Sequence, residues 1–387
     1  MAHRLGRRPP SRRPISVVMV IPVAVVLVLL AASLFGRGAG VAAVSGGSPS
    51  AAASLVASPA VATATPRSPA GTISPSTGPS PTTPISHGVF AGDLLIADRG
   101  NNRLLIVNSQ AQILWRFPVA GSLGAGQQFS ADDAFLDPNG KTIMASEEMH
   151  QVLVRIDIAT KKITWQYGHY NRPGAAPGYL NTPDDAYPLA NGNVTVADIR
   201  NCRILEIAPN KTVVHTWGHT GVCRSSPPFA YDEPNGDTPL PDGGILITEI
   251  KGSRVVRLSA TGRVIFDIHV PATYPSDAQL DAQGDVVVAD YTNPGAVVAV
   301  SPSGRVVWRY GPTSGNGRLN HPSLAVPLAD GTLVLNDDLR DRVIFLNPIT
   351  GRILWQYGRT GVAGRGADRL NIPDGVNLIP PGAISGL

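Results

Sequence analysis

From Asp93 onward, apolar residues come in short runs separated by polar turns, and the runs repeat as a unit. Each unit has an apolar run, a polar turn, a second run, a glycine-containing turn and a third run that ends on an aromatic residue. The runs are rich in Val, Ile and Leu and are bounded by Gly, Pro, Asn or Asp, which is the composition of strands rather than helices. Six copies align on their last run. Equivalent positions hold Trp115, Trp165, His215, Phe266, Trp308 and Trp355, spaced 50, 50, 51, 42 and 47 residues apart. Two residues later stand Phe117, Tyr167, Trp217, Ile268, Tyr310 and Tyr357. All five tryptophans therefore fall on one repeated element, which predicts a repeated packing role.

A further short strand precedes each triplet, marked by a proline nine residues ahead of a hairpin glycine: Pro183 with Gly192, Pro234 with Gly243, Pro275 with Gly284, Pro322 with Gly331 and Pro373 with Gly382. Ala131 replaces the proline ahead of Gly140. Units of about 40–50 residues carrying four strands each are the mark of an all-β propeller. The repeats begin with outer strands at Asp93–Ala97, Arg103–Asn108 and Gln112–Phe117, and they end with a lone inner strand around Asp374–Ile379. The expected fold is thus a six-bladed β-propeller over residues 88–387, closed by sharing its first blade between the N- and C-terminal strands.

The chain ahead of the repeats differs in kind. Ile15 to Phe35 contains 21 residues without a charge, about 31 Å as a helix and enough to cross a bilayer core. Five arginines precede it, so residues 1–14 are expected on the cytoplasmic side and everything after Phe35 outside. Residues 15–35 are read as a transmembrane helix or signal anchor that leaves the chain single-pass in the cell membrane, or secreted if the signal is cleaved. Residues 36–87, dominated by Ala, Ser, Pro and Thr, are expected to form a disordered stalk. Charge follows the same division. The chain has 32 basic and 28 acidic residues, but seven arginines and no acid precede Gly88. The repeat region is slightly acidic, which argues against a nucleic-acid partner.

Ala97-Asp98-Arg99-Gly100-Asn101-Asn102-Arg103-Leu104 and Ala197-Asp198-Ile199-Arg200-Asn201-Cys202-Arg203-Ile204 resemble the A-D-x-x-N-x-R-I signature of NHL-repeat propellers. The blade ends Ile163-Thr164-Trp165-Gln166-Tyr167-Gly168 and Ile353-Leu354-Trp355-Gln356-Tyr357-Gly358 resemble those of pyrroloquinoline-quinone propellers. From the quinoproteins only blade packing is carried over, and no PQQ is expected. The signature acid and arginine lie five apart, at Asp98/Arg103, Asp198/Arg203, Glu249/Arg254 and Asp337/Arg342, and should pair across a tight hairpin as scaffold. The NHL resemblance implies a module like the extracytoplasmic sensor domains of receptor kinases, recognising an unidentified extracytoplasmic protein or small molecule. The alternative is a propeller enzyme, either a lactonase-like hydrolase or an arylsulfotransferase-like transferase with His321 as nucleophile.

Ligand sites in propellers lie at a mouth of the axial channel. The loops entering the inner strands place Asp132, Asp133, Asp184, Asp185, Ser323 and the proposed site residues Asp133, Asp185, Asp277, His321 and Asp374 there. Converging carboxylates suit a hard divalent cation such as Ca²⁺, or a cationic or hydroxylated ligand. Zinc wants clustered His or Cys ligands, and of eight histidines only His321 falls at the mouth. No nucleophile-elbow, Walker or dinucleotide-binding context occurs. Export would put Cys202 and Cys223 in an oxidising compartment, where a disulfide between them is expected.

Overall fold

The computed structural model describes residues 90–384, and the expected membrane segment and stalk lie outside them. Among the described residues there is no helix long and apolar enough to cross a membrane. Within the described residues, twenty-four strands form six four-stranded antiparallel sheets, joined by turns that include four three-residue 3₁₀ helices. The sheet of the first blade combines Asp93–Asp98, Arg103–Asn108 and Ile113–Phe117 with the C-terminal strand Pro373–Ile379, which pairs with Asp93–Asp98. The inner strands of the other blades begin at Ala134, Pro183, Pro234, Pro275 and Ala325. The molecule is a six-bladed β-propeller.

Six apolar clusters fill the six interfaces between neighbouring blades. One of them joins Leu94, Ile96 and Val376 of the first blade to Val334, Phe345 and Trp355 of the sixth. Both faces of the second strand of each blade are buried, which is why these runs read as continuous apolar residues rather than as alternation. The tryptophans serve these interfaces through two atoms' worth of chemistry. Their rings pack, and the indole N–H of Trp115 donates to Ile158 O, that of Trp165 to Pro209 O and that of Trp355 to Ser109 O, each on the following blade.

The signature acids pin the turns. Asp98 lies 2.5 Å from Arg103, Asp198 2.8 Å from Arg203 and Asp337 2.7 Å from Arg342. The other oxygen accepts the backbone N–H of Asn371, Asn181 or Asn320, at the entrance to the inner strand of the same blade. Asn101 and Asn201 donate to the acid of their own turn and also to Gly364 O and Gly174 O. The fourth blade departs from the pattern: Glu249 accepts from Ser225 and Asp232 N, while Arg254 stands 4.0 Å away and turns to Asp267. Cys202 and Cys223 form the expected disulfide, with Cα atoms 5.2 Å apart.

Candidate functional site

Two positions per blade build the mouth of the channel. The first follows the inner-strand proline, or Ala131 in the second blade: Asp132, Asp184, Asn235, Ser276, Ser323 and Asp374. All six line one cavity of about 220 Å³. The next residue adds Asp133, Asp185, Asp277 and Leu324. In the fourth and first blades that residue is glycine, because a Cβ on Gly236 would stand 2.6 Å from Asp277 Oδ1 and one on Gly375 2.5 Å from Asp133 Oδ1. The missing side chains give the acids of the adjoining blades their room.

The second position follows the acid that ends the second strand of a blade, Asp98, Glu147 and Asp290 among them. There Arg99, Glu148 and Tyr291 reach the same cavity, with Tyr274 beside them. The cavity therefore gathers seven carboxylates and a single arginine. Arg99 lies 2.5 Å from Asp132 and 2.7 Å from Glu148, and it also bonds Asp374. The remaining acids share no cation. Burial, followed by the charges of neighbouring acids, pushes Asp132, Asp133 and Asp185 well above the usual carboxylate range. Burial and then Glu148 raise Asp184 to about 7. Burial raises Asp277 to about 6, held down by bonds from Gln279, Ala278 N, Tyr187 and Thr238.

Two features point to a cation. One oxygen from each of Asp132, Asp133 and Asp184 lies within 4.8 Å of the others. That is the span across a Ca²⁺ ion with oxygens at about 2.4 Å. Asp185, 3% exposed, lines the same cavity with an Oδ2 that no donor reaches, and a buried carboxylate oxygen without a donor is costly unless it is protonated or ligates a cation.

Of the five expected site residues, Asp133, Asp185, Asp277 and Asp374 come together here and His321 does not line the cavity. His321 precedes its inner-strand proline and has φ 57°, a left-handed kink. Its ring meets Tyr291 edge-on at 4.8 Å, and Nδ1 lies 2.7 Å from Asn320 Oδ1. Thr182 and Glu233, left-handed at the equivalent position, line an adjoining cavity instead. Arg99, Glu148, Tyr274 and Tyr291 were not among the expected residues. The signal that finds them is their place beside a repeated acid or proline.

A six-bladed propeller with an acidic axial cavity is the class this fold and site define. Within it, residues 211–374 match a PQQ-type repeat model described as outer membrane protein assembly factor BamB. No match is found among curated protein sequences. A protein of unknown function from Bacteroides caccae is 18% identical, with 74% of this chain and 98% of that one aligned at a TM-score of 0.52. A chain of a nidogen/laminin complex is 14% identical, with 73% and 97% aligned at 0.51. Virginiamycin B lyase from Staphylococcus aureus is 17% identical, with 58% and 68% aligned at 0.42. At these identities the likeness is one of fold.

Proposed function

We propose that this chain is a membrane-tethered, extracytoplasmic recognition module, akin to NHL-type sensor propellers, whose axial cavity binds its ligand through a cation. The observation that carries this reading is the Asp132–Asp133–Asp184 triad beside the donorless oxygen of Asp185. Carboxylate oxygens at this spacing, in a pocket that stays anionic after Arg99 is satisfied, suit a hard divalent ion such as Ca²⁺. The hydroxyl of Ser276 is a hard ligand on the same wall. The tether is residues 15–35, and the partner is an extracytoplasmic protein or small molecule.

The lining holds no histidine, cysteine or lysine. Ser323 Oγ is committed to Asp374 O and Asp338, so it does not stand free beside a base in the manner of an activated nucleophile. This favours binding over the transferase reading through His321. A hydrolase working through the bound cation is the other outcome of the test.

The test is a melt of the purified full chain with chelator, Ca²⁺ or Mg²⁺. Ca²⁺ at 100 times its dissociation constant should add about 2.7 kcal/mol, and Asp184→Asn should lose most of that gain. A melting temperature indifferent to both ions would overturn the reading. Cation-dependent opening of a lactone panel would move it to the hydrolases.

A further inference from the structure

The acids of the axial cavity outnumber what one metal ion offsets. Seven carboxylates against Arg99 and a divalent ion on Asp132, Asp133 and Asp184 leave a formal excess of four negative charges. A second metal ion finds no ligand set, since among the described residues no other three acids, histidines or cysteines bring ligand atoms within 4.8 Å of one another. An ammonium asks for less, because its three donors are satisfied by two or three acceptors.

Asp185 marks where such a group would go. It stands outside the triad, is 3% exposed and lines the cavity with an Oδ2 that no donor reaches. The charges that bear on it are those of other acids, Asp277 first and then Asp133. Asp277 is fixed as a carboxylate by neutral donors alone. Tyr187 Oη at 3.2 Å and Gln279 Nε2 at 3.0 Å donate to one oxygen, Thr238 Oγ1 at 3.2 Å and Ala278 N at 2.6 Å to the other. Asp133, Asp185 and Asp277 belong to the second, third and fifth blades and approach the axis from different sides. That arrangement suits the tetrahedral head of a primary ammonium better than the planar fork of a guanidinium. Leu324 and the rings of Tyr274 and Tyr291, 5.4 Å apart, supply an apolar wall for methylenes. The cavity, about 220 Å³, is smaller than the roughly 300–1,000 Å³ of pockets for drug-sized ligands, so the group that enters is slender.

We propose that the axial cavity takes a primary alkylammonium, with its charged end on Asp185 beside Asp277 and an oxygen at its other end on the metal ion of the triad, as a hard ion requires. A free amine and the lysine side chain of a protein share that chemistry. The inference rests on the cation reading of the cavity and names the group recognised together with the ion.

The experiment titrates butylamine, Nα-acetyl-lysine amide and butan-1-ol into the full chain, in excess Ca²⁺ and again in chelator, by calorimetry or ligand-observed NMR. The two ammonium compounds should bind in excess Ca²⁺ and the alcohol should not. Stronger binding of the lysine derivative than of butylamine assigns the group to a protein, and the reverse assigns it to a free amine. Asp185→Asn suits the left-handed backbone of that position, φ 36°. It should weaken both ammonium compounds by roughly tenfold or more, and Asp184→Asn should weaken them less. Ammonium binding that is absent, matched by the alcohol, or unchanged in Asp185→Asn overturns the proposal and leaves the cation reading intact. Binding seen only in chelator overturns it too, because the amine then merely fills the triad. A protein indifferent to Ca²⁺ that binds ammonium through Asp185 separates the two failures: the metal end is lost and the ammonium site stands.

Discussion

Asp184 carries the clearest titration consequence in the cavity. Its folded pKa stands at about 7, and that of Asp277 at about 6, against 3.8 for a free aspartate side chain. The folded chain therefore binds more protons than the unfolded chain between these values, so stability falls as pH rises. Without divalent cation, the melting temperature should be highest near pH 4 and should decline towards pH 7. Asp184→Asn, neutral throughout, should flatten that decline, and Ca²⁺ should offset it by occupying the ionised site. A chelated protein whose melting temperature is flat or rising from pH 4 to 7 would contradict the assignment. Arg99 has the complementary role, as the cation shared by Asp132, Asp374 and Glu148. Arg99→Leu should cost about 3–5 kcal/mol at pH 7 in chemical denaturation, and much of the loss should return at pH 5, where more of the acids are neutral. A loss equal at both pH values would make Arg99 a packing residue only.

At the scale of the element, the repeat was legible because every blade reuses the same contacts. Proline-to-glycine spacing located the inner strands, and the acid–arginine pairs were readable five residues apart. The acids after the prolines were found by the same count. Arg99 and Glu148 were not, because the residue after the signature acid is Arg, Glu, Ile, Ile, Tyr or Asp from blade to blade. The backbone bend at the acid does not distinguish them either, since Asp98 (φ −86°, ψ 69°) and Glu147 (φ −113°, ψ 80°) share it with Asp198 (φ −99°, ψ 74°), whose next residue Ile199 lines the adjoining cavity. His321 stands outside the cavity lining, and neither its φ of 57° nor the negative φ of its counterpart Tyr274 is written in residue type. Equivalence in the repeat also conceals differences in burial. Trp355 is 4% exposed and meets Phe90 and Phe345 edge-on, whereas Trp308 is only partly buried. Trp355→Ala should cost about 3–5 kcal/mol and Trp308→Ala clearly less. Equal losses in denaturant titration would refute this ranking. The disulfide joins residues 21 apart, so replacing both cysteines by alanine should cost about 3 kcal/mol in the chain-entropy model, read from the same titration.

For the whole molecule, the strand Pro373–Ile379 joins the C-terminal end of the repeats to their beginning, and it carries part of the site with it. It pairs with Asp93–Asp98 from Asp93↔Ile379 to Asp98↔Pro373, and Val376 enters the cluster between the sixth and first blades. Asp374 faces the cavity from the same strand, and the Asn336 amide donates to the carbonyls of Pro373 and Asp374. A chain ending at Gly366 would lose all of these and leave the inner edge of Asp93–Asp98 unpaired along the channel, an invitation to aggregation. It should be insoluble or rapidly proteolysed. Length alone is not the reason, and a rearranged chain separates the two explanations. The backbones of Gly92 and Ile379 adjoin, since a Cβ built on Gly92 would stand 2.0 Å from Ile379 O. Residues 367–384 placed between residues 89 and 90, in a chain that then ends at Gly366, would therefore enter the same sheet through a short connection. That protein should be soluble, melt near the intact chain and respond to Ca²⁺ as it does. Failure of the rearranged chain alongside the truncated one would show that the order of the segments, and not completion of the first blade, is what the fold requires. A truncated chain that stays soluble and melts like the intact protein would remove the C-terminal strand from the propeller altogether.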